Sequence, residues 1–413
     1  MIVSGALQSV KPVEPGKLES VPDQGGSVYA GCGQTRAKQP VSPELSKRVA
    51  TVFRCANTIS NDIATMPFQQ IVRTRNGKGL NVTKKINPDA LVRNMAYLVE
   101  VKPNRWMSPF ILKKTSIMWL LFWGNALIWQ PAPPVQRELF ILPTNVTTPK
   151  MDKNGDLWYE VRFPNGDKRF IPSVEVMHVM INSTNGIWGR GMLEYARETI
   201  GLRIGMSATQ SSIQGSGLNP GAYIRLNALL DKKGRDEYRE AYGEVMSGAD
   251  NAGNLVVFDN KVLEFKPITM PFRDAQFLES MQATDLEIAN FFTFPAYKLN
   301  SGKQSYQSNE QQDLDYLKSC LDPHLVQWEQ SARLQWQPEA EQGNSYFKFV
   351  RESVLRTNAK SRAELHEIQI RSGTLQPNES REVEDRDGYP EGSKFYMTKN
   401  YGVVGAPEEG ESG

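Results

Sequence analysis

Between residues 271 and 336 the chain carries two long helical patterns separated by a short polar stretch rich in helix breakers, and this arrangement restricts the possible folds more than any other feature. Over 272–292, Phe277, Met281, Ile288 and Phe291 recur at helical spacing behind Pro271, a residue suited to a first helical turn. The connection, 295–308, holds Pro295, Gly302 and two lysines, Lys298 and Lys303, with no acid. Beyond it, Leu314, Leu317, Leu321, Leu325, Trp328 and Ala332 step by three and four, so one face of a long helix is apolar. Pro323 lies inside that pattern. It has no amide proton and its ring clashes with the preceding turn, so a kink is expected there. Two helices longer than a compact domain needs, joined by a cationic tip, suggest an element that projects.

At 413 residues the chain can bury an ample core and should form two or more structural units. Its 48 basic and 46 acidic residues nearly cancel. A protein that grips DNA tightly would show a basic excess, so composition alone demands no nucleic acid and no acidic partner. Cys32, Cys55 and Cys320 are too few and too scattered for a disulfide framework or a zinc site. The N-terminus lacks the charged start and apolar run of a secretory signal. The strongest hydrophobic run, 117–129, contains Gly124 and Asn125 and falls short of a membrane span. The expectation is a soluble intracellular protein without a membrane segment.

Residues 1–40 hold six glycines and four prolines without periodicity, which predicts a flexible arm, and the glycine-and-glutamate tail over 401–413 predicts another. Ser42 and Pro43 read as the start of a helix carrying Leu45, Val49, Val52, Ala56, Ile59 and Ile63 on one face. A strand over 67–72 should follow. Ser108 and Pro109 start a further helix to about Phe122, and 125–129 then reads as a strand. Asn154-Gly155 and Asn165-Gly166 are favoured hairpin turns, predicting three antiparallel strands with 176–181 as a fourth. After Gly186, Gly189 and Gly191, a helix over 192–213 is polar around much of its circumference, and such a helix needs neighbours; copies of itself in a ring would supply them. Residues 218–270 read as strand (222–226), helix (231–246) and two strands (255–258 and 262–265) paired through an Asp259-Asn260 turn. A strand over 346–350 and helices over 361–371 and 378–385 complete the chain.

No catalytic constellation emerges. Gly302-Lys303 invites a phosphate-loop reading, but Tyr297 stands where the first glycine belongs and Gln304 replaces the Ser or Thr that would hold magnesium. His178, His324 and His366 are isolated, and each reads as a surface or packing histidine. Ser207 falls within a helix and lacks the second glycine of a nucleophile elbow. The acidic pairs Asp313/Asp315 and Asp385/Asp387, two residues apart, point to different faces of a helix. No metal and no cofactor are therefore expected. Lys298, Lys303, Gln304 and Tyr306 remain: a tip of this composition can touch phosphates without reading bases.

The order of parts resembles the portal proteins of tailed bacteriophages, in the branch found in long-tailed siphophages. The likeness is carried by 48–66 with Pro67, Gly124-Asn125-Ala126, Leu142-Pro143, 176–179, 189–200, 274–295 with Phe294-Pro295, and 372–381. It extends over roughly 41–391, and the insert at 218–270 follows it in pattern more than in letters. The resemblance implies an α+β ring subunit, usually one of twelve, at one capsid vertex of a virion assembled in the host cytoplasm. Carried over, 1–40 is an arm, 41–185 with 309–350 a wing, 186–217 and 271–294 the stem, 218–270 a clip, 295–308 a tunnel loop, and 351–400 a crown. The implied partners are double-stranded DNA without sequence preference, a terminase motor, a head-tail adaptor and the major capsid or scaffold protein. DNA bears a charge about every 1.7 Å of axis, so a channel that must let it slide should offer few, weak, sequence-blind contacts. A DNA-processing or nucleotide-dependent enzyme and a plain shell protein are the alternatives.

Overall fold

The helix starts follow their capping residues. Ser42 accepts the Leu45 amide at its hydroxyl (3.2 Å), Asn94 accepts that of Tyr97 (2.6 Å) and Ser108 that of Ile111 (3.3 Å). The structure, a computed structural model, describes residues 18–20, 33–75, 81–86, 94–131, 138–163, 165–215, 222–226, 232–233, 262–267, 274–299, 309–337, 343–351, 359–383 and 386–396. It divides into two units, Met1–Val350 and Arg351–Gly413.

In chain order the first unit contains β1 (Glu19–Ser20), β2 (Gly33–Gln34), β3 (Pro40–Val41), α1 (Ala50–Thr65), β4 (Phe68–Arg75), β5 (Asn81–Lys85), α2 (Met95–Glu100), α3 (Pro109–Trp123), β6 (Asn125–Trp129), β7 (Phe140–Leu142), β8 (Thr147–Met151), β9 (Leu157–Arg162), β10 (Lys168–Pro172) and β11 (Val176–Met180). There follow α4 (Met192–Gly215), β12 (Ala222–Leu226), β13 (Val262–Pro267), α5 (Asp274–Phe291), α6 (Asn309–Tyr316), α7 (Asp322–Trp336) and β14 (Ser345–Phe349). The helix expected from Ser42 onward is broken. Pro43–Ser46 forms one turn, the amides of Arg48 and Val49 bond back three residues, and an extended Val49 restarts the chain as α1.

Two sheets make the core. In the first, β6 lies between β11 and β7, and all five of its residues are buried. Its Leu127 and Trp129 meet Tyr159, Val161 and Ile171 from the antiparallel β8-β9-β10 meander. The hairpin glycines Gly155 and Gly166 both adopt φ +89°, as their turns require. β11, expected as a fourth strand of that meander, instead pairs with β6, Val176 opposite Trp129. In the second sheet β14 pairs with β4, Phe349 opposite Phe68, across more than 270 residues of sequence. Phe68 meets Trp328 of α7 edge-on at 5.2 Å and Phe349 at 4.4 Å. Such aromatic pairs contribute about 1 kcal/mol each beyond the area they bury. β13 pairs with β12; the expected Asp259-Asn260 turn lies outside the described residues, as do most of the predicted 231–246 helix and the 255–258 strand.

Within 1–40, expected as a flexible arm, the described residues include paired strands. β1 adds to the edge of β8, and the β2–β3 hairpin lies on α4. There the Arg36 amide donates to the Glu198 carboxylate (3.0 Å) and Thr35 sits on Gly201, where any Cβ would come within 2.5 Å of the threonine side chain. A glycine in the helix face, invisible as a packing signal in the sequence, makes that seat.

In the second unit α8 (Ala359–Arg371) ends at Gly373, φ +69°, and α9 (Pro377–Val383) begins with Glu379 accepting the Gln376 amide (2.8 Å). Asn378 holds the following turn through the Tyr389 amide (3.0 Å) and carbonyl (2.8 Å).

Candidate functional site

Candidate residues lie where the helix pair α4 and α5 joins the rest of the first unit. α4 starts beside the α3–β6 junction because Asn125 grips the irregular segment that leads into it. The side-chain oxygen of Asn125 accepts the Gly189 amide (2.7 Å) and its NH2 donates to the Gly189 carbonyl (2.8 Å). The backbones touch: a Cβ on Gly189 would lie 2.2 Å from the Gly124 carbonyl, and one on Gly191 2.1 Å from that of Phe122. His178 completes the network. Its Nε2 lies 2.9 Å from the Asn125 oxygen, which makes it the donor, and its Nδ1 lies 3.0 Å from the Tyr159 hydroxyl, which makes it the acceptor. Packed against the Tyr159 and Trp188 rings, the imidazole is pushed down by burial to about 3 and stays neutral. It is a packing histidine, as its isolation in the sequence implies.

α4 and α5 are tied by polar groups. Arg203 donates to both carboxylate oxygens of Asp285 (2.9 and 3.5 Å), Thr51 of α1 donates to the same carboxylate (2.8 Å), and Thr199 reaches Glu287 (3.3 Å). One carboxylate thus joins three helices. On α4 Leu193, Ala196 and Ile200 are buried, whereas Tyr195 and Leu202, with Leu278 of α5, are about half exposed.

α5 ends without glycine. Thr293 takes the left-handed conformation, φ +51°, while the Thr293 and Phe294 amides bond to the carbonyls of Asn290 and Ala289 (both 2.9 Å), closing a Schellman cap. A β-branched residue in that region is strained. Nothing in Phe292-Thr-Phe-Pro295 signals it. Phe292 and Phe294 are buried, and a 3-10 turn, Ala296–Leu299, follows.

Of the four tip candidates, Lys303, Gln304 and Tyr306 lie outside the described residues. Lys298 is described, and it faces its own chain. Its ammonium sits 4.3 Å from the centre of the Tyr316 ring and 3.8 Å from Asp313. Tyr316 in turn donates to Asp62 of α1 (2.9 Å). Burial raises the Asp62 pKa, and the Tyr316 hydrogen bond and the Lys298 charge partly offset it. Burial also pushes the Cys320 thiol up to about 12, so this cysteine is an inert packing group.

Past this cluster the helix widens into one π turn, Leu317–Leu321, just before Pro323. The ring of Pro323 clashes with the carbonyl four residues back and supplies no amide to it, and the wider turn relieves both problems. The sequence predicts a kink at Pro323; what the described residues show there is this π turn in the preceding residues. Among the described residues no group of three or more His, Cys, Asp and Glu side chains could hold a metal, and no helix is long and apolar enough to cross a membrane.

With the sheets and the α4–α5 helix pair described, the relatives can be set beside them. The phage portal protein family matches residues 50–385, so the chain belongs to that family. The probable portal protein of Streptomyces phage phiC31 is 25% identical over 400 residues, covering 93% of this chain and 85% of the relative. The crystal structure of an HK97-family phage portal protein from Corynebacterium diphtheriae superposes with a TM-score of 0.55 at 16% identity, over 79% of this chain and 98% of that one. A chain from the neck of a native gene transfer agent particle, computed with C12 symmetry, gives 0.51 at 17% identity, over 82% and 90%.

Proposed function

We propose that copies of this chain close into a ring of about twelve at one vertex of a virion, forming a channel through which double-stranded DNA enters and leaves the head. One observation carries the reading. The helix pair α4 and α5 is cross-tied through hydroxyls, a guanidinium and carboxylates, and Tyr195, Leu202 and Leu278 stay exposed on it. Sister copies standing side by side would cover those groups. The segment 295–308 then lines the constriction, where Lys303, Gln304 and Tyr306 make sequence-blind contacts with phosphates. Near-neutral overall charge suits this task, because DNA must slide rather than stick. A ring at a vertex also offers docking surfaces to a terminase motor, a head-tail adaptor and a capsid or scaffold protein. No step in this function requires catalytic turnover.

Averaged electron micrographs and mass measurement of the purified protein test the reading: closed rings of about twelve times 46.5 kDa are expected. A solitary monomer, an extended lattice, or magnesium-dependent turnover of ATP or DNA would overturn it. Lys303→Ala, alone or with Lys298→Ala, should leave rings intact while altering DNA packaging or retention.

A further inference from the structure

Lys298 and Lys303 look equivalent in the sequence, but Lys298 is committed elsewhere. The residues before and after the 299–311 segment are cross-tied at successive levels. Cys320 contacts the Phe292 carbonyl through its thiol (3.6 Å), and Phe294 meets the Tyr316 ring edge-on at 6.0 Å. The Tyr297 hydroxyl donates to the Gln312 carbonyl (3.1 Å) and lies 3.5 Å from Asp313. Lys298 closes the series, lying over Tyr316 and beside Asp313, and Tyr316 is anchored to α1 through Asp62. Both members of the Lys298–Asp313 pair are only about a quarter exposed, at 25% and 27%. A tyrosine that donates to a carboxylate has an electron-rich ring, which strengthens its attraction for an ammonium.

We infer that Lys298 is a positioning residue: with Tyr297 and Asp313 it forms a clasp that fixes where the 299–311 segment leaves and rejoins the body of the protein. Its charge is spent on Asp313 and Tyr316, so it is not a phosphate ligand. The inference rests on the channel reading only for what the segment does once positioned; the clasp stands on contacts within one chain.

The two roles predict opposite signs. If Lys298 binds phosphate, Lys298→Ala weakens DNA binding and lowers its salt dependence by about one counterion, whereas Asp313→Ala, which removes a competing acid, strengthens binding. If it is a clasp, both variants loosen the two ends of the segment alike. Limited proteolysis of the purified full-length protein between residues 299 and 311 should then accelerate about fivefold in each variant, with the double variant little worse than either. Lys298→Met, which keeps the side-chain stem but not the charge, should behave like Lys298→Ala. The exchange Lys298→Asp with Asp313→Lys should recover part of the protection. Unchanged proteolysis in Lys298→Ala, Lys298→Met and Asp313→Ala, or opposite effects of Lys298→Ala and Asp313→Ala on DNA binding, would overturn the clasp. Because proteolysis needs neither ring nor DNA, its outcome is separable from failure of the channel reading.

Discussion

The β6–β7–β11 sheet and the α4–α5 helix pair both hold polar groups away from bulk water, yet they finish the task differently. Around β6, the Asn125 side chain, the Gly189 backbone, His178 and Tyr159 hydrogen-bond to one another, and Tyr159 packs into the cluster of Leu127, Trp129, Phe140 and Ile171. That network is closed within one chain. The helix pair instead relies on Asp285 as a shared acceptor and leaves large apolar side chains in solvent. A region that is complete alone tolerates no intrusion, and one that is incomplete alone gains stability from what it meets. The sheet region should therefore show its defects in the isolated chain, and the helix pair in assembly.

The sharpest break of this contrast is Gly191→Val. Its Cβ would overlap the Phe122 carbonyl, with no flexible side chain to yield, so destabilisation of about 4 kcal/mol or more is expected. Expression as soluble, cooperatively melting protein measures it; a native melting curve would show that the α3–α4 crossing can relax. Asn125→Leu comes next. It strands the Gly189 amide and the His178 Nε2 proton without acceptors, costing about 3 kcal/mol in urea unfolding. The same network predicts a pH dependence. The folded His178 has a pKa far below its unfolded value of 6.5, so the unfolded chain takes up the proton first, and its contribution to stability is present above 6.5 and drains away as pH falls towards 3. His178→Gln should flatten that part of the stability profile, and an unaltered acid limb would refute the assignment.

Asp285→Asn probes the other region. Loss of the charged acceptor for Arg203 and Thr51 should lower the stability of the separate chain by only about 1 kcal/mol, while ring yield by size-exclusion chromatography falls several-fold. Equal effects on both readouts would erase the contrast drawn above. The smallest change expected is a gain. Thr293→Gly relieves a left-handed, β-branched residue at the end of α5 and should stabilise by up to about 1 kcal/mol in thermal melts.

Legibility followed the range of the forces involved. Ser108-Pro109 opening α3 and the two Asn-Gly hairpins are written in neighbouring residues, and the structure places all of them where that chemistry puts them. The apolar face through Leu317, Leu321, Leu325, Trp328 and Ala332 is likewise buried. Hidden from such reading were the transfer of β11 to another sheet, the left-handed Thr293, the seating of an N-terminal hairpin on Gly201, and the engagement of Lys298. Each depends on a partner tens to hundreds of residues away, or on a strain that no local residue advertises.

By itself, then, the sequence determined where helices and hairpins begin and end, which faces are apolar, and which known proteins this chain resembles. Those properties rest on backbone capping, turn geometry and side-chain periodicity, all of which act within a few residues. Only the tertiary structure decided which strand joins which sheet, which glycines must stay bare, and that one of two similar lysines is already paired. Those outcomes are set by contacts between distant segments, whose free energy exists only once the chain has brought them together.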